Sequence, residues 1–126
     1  MNKEVISTNK APSAIGPYSQ GIKVENFIFV SGQIPVNPET GEVSKDIKEQ
    51  AAQSMTNIKN ILAESGASLD DVVKVTIFIT DLNNFAAVNE VYGSFFSGSY
   101  PARSCVEVSK LPKDVGLEIE VIAVRR

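Results

Sequence analysis

Residues 116–124 read Gly-Leu-Glu-Ile-Glu-Val-Ile-Ala-Val, and their alternation decides the fold. Successive side chains on a strand point to opposite faces. One face therefore carries Leu117, Ile119, Val121 and Ala123, an unbroken apolar row that needs a covering layer. The other carries Glu118, Glu120, Ile122 and Val124, which is polar at one end and apolar at the other. Such a strand belongs to a sheet with helices on one side and a second, incompletely polar face on the other.

The rest of the chain supplies the partners. Residues 71–80 alternate in the same way, with Val73, Val75, Ile77 and Ile79 on one side and Lys74, Thr76, Phe78 and Thr80 on the other. Between these strands, Ala102 to Ser109 reads as a further strand, joined to Gly116–Val124 by a loop containing Pro112. Earlier strands are expected at Glu4–Ser7, Ser19–Val24 and Phe27–Ser31, the last two joined by a tight turn at Glu25-Asn26. Helical spacing appears twice. Ile47, Ala51, Met55, Ile58 and Leu62 form one stripe over 46–65, with Asp46 and Glu49 as a capping box and Gly66 as the stop. Phe85, Val88, Tyr92 and Phe95 form another over about 84–96, with Asn83 as its expected cap. The order β-β-β-α-β-α-β-β over a single domain, 1–126, predicts an α+β fold: a mixed sheet with two helices packed on one face.

Composition narrows the chemistry. The 126 residues carry 12 Lys and Arg against 15 Asp and Glu, without a basic stripe, so nucleic acid is a disfavoured partner. Histidine is absent and there is one cysteine, Cys105. These absences remove His-based triads and Cys/His zinc sites, leaving no metal expected. The lone cysteine and the lack of a signal-like or membrane-length apolar run predict a cytoplasmic, non-membrane protein.

Two helices cover one face, leaving Ile122, Val124 and Phe78 on the other. An apolar patch of that kind calls for cover, and a second copy of the chain is the simplest one. In 102–109, the small and apolar set Ala102, Ser104, Val106 and Val108 is assigned to the helices. Arg103, Cys105 and Glu107 are then expected on the uncovered face with Glu118 and Glu120, adjacent if the final two strands pair. Bland roles stand beside functional ones: Arg103 with a glutamate as a structural ion pair, Cys105 as a small core filler, Tyr18 as a loop anchor, and Asn89 as an exposed polar residue.

The segment Pro101-Ala102-Arg103-Ser104-Cys105-Val106-Glu107-Val108, with Leu111-Pro112 and Glu118-Ile119-Glu120-Val121-Ile122-Ala123, resembles the C-terminal signature of the RidA family, also labelled endoribonuclease L-PSP. Residues 14–20, Ala-Ile-Gly-Pro-Tyr-Ser-Gln, and 29–33, Phe-Val-Ser-Gly-Gln, resemble its N-terminal motifs. Asp81-Leu82, Phe85 and Asn89 resemble its middle. The resemblance implies a chorismate-mutase-like fold, a homotrimeric barrel with sites at subunit interfaces, and no cofactor. It also implies hydrolysis of 2-iminobutanoate and 2-iminopropanoate to 2-keto acids and ammonia. Arg103 would grip the substrate carboxylate and Glu118 would activate water. Tyr18, Ser31, Gly32, Cys105 and Asn89 would line the site, with Tyr18 coming from a neighbouring subunit. Without histidine to activate it, Cys105 is read as a positioning residue. The rival readings are a 2-keto acid sensor without turnover, an endoribonuclease or translation inhibitor, and a chaperone-like role.

Overall fold

The computed structural model describes residues 2–125. Its elements run β1 (Lys3–Ile6), β2 (Gly21–Val24), β3 (Phe27–Gln33), α1 (Ile47–Glu64), β4 (Val72–Ile79), α2 (Phe85–Ser94), β5 (Ala102–Glu107) and β6 (Leu117–Val124). Single 3₁₀ turns lie at Leu69–Asp71, Leu82–Asn84 and Pro112–Asp114. The strands form one sheet in the order β1-β2-β3-β6-β4-β5. Neighbours are antiparallel except β4 and β5, which are parallel.

That parallel pair corrects the expected pairing of the last two strands. Parallel neighbours need a crossover, and α2 supplies it, setting β5 on the outer edge of β4. The chain then returns across the end of β4 and enters the sheet on its other side. Val108 N–H donates to the Ile79 carbonyl at 2.8 Å, and Thr80 N–H to the Gly116 carbonyl at 3.0 Å. β6 is thereby central, between β3 and β4, and β4 separates it from β5.

The core lies between one face of the sheet and both helices. Leu117, Ile119, Val121 and Ala123 of β6 are buried there with Val75, Ile77 and Ile79 of β4. Ala51, Met55, Ile58, Ile61 and Leu62 of α1 cover them, as do Val88 and Tyr92 of α2. Fully burying an isoleucine or leucine stabilises the fold by about 1.5–3 kcal/mol, so this single layer dominates the energetics. Val73 departs from the expected alternation and is exposed. The register of β4 against β6 shifts between Val72 and Lys74, a bulge that gives the inward position to Val72.

Local signals explain the element ends. Asp46 accepts the Glu49 N–H at 3.1 Å, capping α1. Glu49 does not return to the Asp46 backbone. Its carboxylate accepts from Ser44 Oγ at 3.2 Å, while Asp46 N–H donates to the same hydroxyl at 3.1 Å, so a serine relays the box. Gly66, at φ +80°, ends the helix. Its N–H reaches Ala63 O, and Ala67 N–H reaches Leu62 O, both at 3.0 Å. At α2 the cap expected at Asn83 is not made: Asn84 holds the N-cap position without a side-chain bond, and Asp81 caps the preceding 3₁₀ turn, its carboxylate accepting the Asn83 N–H at 2.9 Å. The 3₁₀ turn starts the helical path earlier than the apolar stripe announces. Likewise β2 begins at Gly21 because Gln20 is buried and holds the N-terminal loop, bonding Thr8, Ala11 and Pro12.

Candidate active site

The two sides of the sheet carry different chemistry. Arg103 pairs with Val75 and Cys105 with Ile77, so both lie on the helix side. Glu118 pairs with Phe78 and Glu120 with Thr76, on the open side. The expected shared face for Arg103, Cys105, Glu118 and Glu120 is therefore corrected. The physical reason is that β5 is an edge strand, and what it meets is the polar and aromatic stripe of α2. Rings and an amide can cover a guanidinium as readily as an aliphatic layer covers leucine.

On the helix side, one guanidinium nitrogen of Arg103, Nη1, donates to Asn89 Oδ1 at 2.5 Å. Its central carbon lies 5.2 Å from the ring centroid of Phe85 and 5.0 Å from that of Tyr92. The ion pairs among the described residues, Lys48–Glu90 and Arg125–Asp71, leave Arg103 out. The structural ion-pair role is thus set aside, and Asn89 is a direct partner of the arginine. Asn89, Tyr92, Gly93, Tyr100 and Arg103 border an open cleft of about 470 Å³. Cys105 is half-buried against the core. Burial pushes its thiol pKa up while Arg103 pulls the other way, which keeps it a weak nucleophile. Glu107, on the same face, accepts the Leu82 N–H at 2.9 Å and secures the turn leading into α2.

On the open side, β3 carries a bulge between Val30 and Gln33. Ser31 and Gly32 therefore both stand across from Glu120, between the pairs Val30–Val121 and Gln33–Ile119. The Glu118 carboxylate folds over Gly32 so closely that any Cβ there would collide with it. Glycine is needed for this approach. Burial and then the neighbouring Glu120 charge raise the Glu118 pKa, and the opposing pull expected from Arg103 is not among the causes. Ser31 is anchored, its Oγ donating to the Ser19 carbonyl at 2.5 Å and its N–H to the Gln20 carbonyl at 2.9 Å. Tyr18, half-exposed, borders an open cavity of about 520 Å³ with Ile15, Gly32, Gln33 and Lys113.

The proposed site residues thus fall into two groups on opposite faces. Arg103, Asn89 and Cys105 form one; Glu118, Gly32, Ser31 and Tyr18 form the other. The first can hold an anion and the second can present a carboxyl beside backbone groups. The helical spacing marks Phe85 and Tyr92 as core, and Phe85 also belongs to the family motif, but neither is expected at the site, although the spacing 85, 89, 92 already places them with Asn89 on one stripe. The open face also exposes Phe27 and Phe29, stacked at 6.2 Å, alongside Val106 and the half-buried Phe78, Ile122 and Val124.

Residues 8–125 match the family described as Endoribonuclease L-PSP. A RutC family protein of Pyrococcus abyssi is 65% identical over 124 residues, 98% of each chain. The 2-iminobutanoate/2-iminopropanoate deaminase of Escherichia coli is 56% identical over 126 residues, again 98% of each. The crystal structure of Escherichia coli TdcF with bound serine superposes with a TM-score of 0.95 at 54% identity, covering 98% of this chain and 99% of that one.

Proposed function

This chain belongs to the Endoribonuclease L-PSP family, the RidA family of the sequence resemblance, and on that premise we propose that it hydrolyses 2-iminobutanoate and 2-iminopropanoate. The observation that carries the reading is Arg103. It is a cation braced by Asn89 and two rings, without a carboxylate of its own among the described residues. A planar guanidinium with a free edge suits the carboxylate of a 2-imino acid, which it can hold through parallel hydrogen bonds.

Glu118 is the proposed base. In its ionised form it takes a proton from water as the water oxygen bonds to C2 of the imine. The resulting tetrahedral carbon carries both OH and the amino group. With the imine entering in its protonated form, Glu118 returns that proton to the amino nitrogen and the C–N bond breaks. The hydroxyl gives its own proton to the freed Glu118 carboxylate as it becomes the carbonyl of a 2-keto acid, and this proton leaves with ammonia as ammonium. Backbone groups at Gly32 and Cys105 would orient the substrate, with Ser31 beside them and Tyr18 closing the pocket. An imine hydrolyses in water unaided, so holding it in register with one water can supply much of the rate.

Because the Arg103 and Glu118 groups lie on opposite faces, a site containing both needs two copies of the chain. The exposed Phe27, Phe29 and Val106 support association through the open face, and a homotrimer with sites at its seams is the assembly we propose. A 2-keto acid sensor would use the same arginine, and the bound serine of TdcF is consistent with small-molecule binding in that relative.

Turnover separates the two. An amino-acid oxidase generates the imino acid, semicarbazide traps it, and the trapped product is followed. Wild-type protein is expected to suppress trapping, while Arg103→Ala and Arg103→Lys leave it unchanged. Undiminished trapping with wild-type protein would replace the enzyme reading with the sensor.

A further inference from the structure

A carboxylate grip explains Arg103 but not why one helix devotes three positions to it. Phe85, Asn89 and Tyr92 stand four and three residues apart, on a single stripe of α2. The central carbon of Arg103 lies 5.2 Å from one ring centroid and 5.0 Å from the other, so a single cation meets both rings. The Tyr92 ring is itself held, and Phe85 is half-buried. Tyr92 is 3% exposed within the core, and packs on Phe96 at 5.0 Å, which meets Tyr100 edge-on at 6.2 Å. Arg103, by contrast, is exposed on an edge strand, where its long side chain would otherwise sample many rotamers.

We infer that Phe85 and Tyr92 are positioning residues for substrate binding, holding the Arg103 guanidinium against both rings so that its free N–H edge faces an incoming carboxylate. The inference rests on the reading of Arg103 as a carboxylate grip. Attraction between cation and ring faces fixes the plane, and the Asn89 amide oxygen fixes the rotation within it. The Tyr92 hydroxyl has no hydrogen-bond partner among the described residues, so the ring and not the oxygen is assigned the role.

The test uses the full-length protein. Phe85→Leu and Tyr92→Leu are each expected to raise KM roughly tenfold, with kcat changed less than about threefold, since binding is loosened and the chemistry untouched. Tyr92→Phe keeps the ring and is expected to keep the wild-type KM. The Arg103 Nε–H resonance, assigned by its loss in Arg103→Lys, is expected to show a ring-current shift in wild type that each leucine variant diminishes. Folded leucine variants with wild-type KM and an unmoved resonance would overturn the inference, as would Tyr92→Phe failing as badly as Tyr92→Leu. Should Tyr92→Leu not fold, Phe85→Leu decides. If wild-type protein lacks turnover, only the deaminase reading falls. The resonance, and 2-oxobutanoate affinity in place of KM, still decide the role of the rings.

Discussion

Glu118 is subject to two influences that act in the same direction, burial first and then the charge of Glu120. Its carboxyl therefore ionises above the ordinary value of 4.5. For catalysis, the base form is needed, so the acid limb of kcat/KM is expected to lie above that value and to move to lower pH in Glu120→Gln, which removes one cause. For stability the sign follows from proton uptake. A group whose folded pKa is raised holds more protons folded than unfolded, so its favourable contribution is complete below about 4.5 and is lost as pH rises through the folded pKa. Glu118→Gln should flatten that decline. Urea midpoints and kcat/KM measured across this window check both, and an acid limb unmoved by Glu120→Gln would remove Glu118 as the base.

Among the elements, α2 has two tasks. Val88 and Tyr92 close one end of the core, while Phe85, Asn89 and Tyr92 brace Arg103. α1 has the purely structural task, and its ends bear the marks of it, a relayed cap at Asp46 and a left-handed glycine at 66. Asp46→Ala is expected to cost about 1 kcal/mol, seen as a lower urea midpoint without loss of activity. An activity loss larger than the stability change would show that α1 also governs the site. The bulges divide in the same way. The one at Val73 only re-aims a side chain, whereas the one at Ser31–Gly32 brings backbone against Glu118.

For the whole molecule, the decisive fact is that the sheet itself separates Arg103 from Glu118, the two proposed half-sites. Arg103→Ala and Glu118→Gln proteins should each be inactive alone. Unfolded together and refolded as a mixture, they should regain activity, because roughly a quarter of seams in a random assembly would join an intact Arg103 to an intact Glu118. The trapping assay reads the recovery. No recovery, with mixed assembly verified by mass spectrometry, would contradict a site shared between copies.

The amino-acid pattern alone determined which segments form strands and helices, the apolar row of β6, the apolar residues of the second face, and the residues of the family signature. Those are properties of spacing and side-chain chemistry, and local sequence contains them. Only the tertiary structure decided that β6 lies between β3 and β4, and that Arg103 faces α2 while Glu118 faces away. The reason is that strand order and side are set by a crossover and by packing across long separations. On an edge strand, where either face can be satisfied by rings or by water, alternation names two faces without saying which neighbour each will meet.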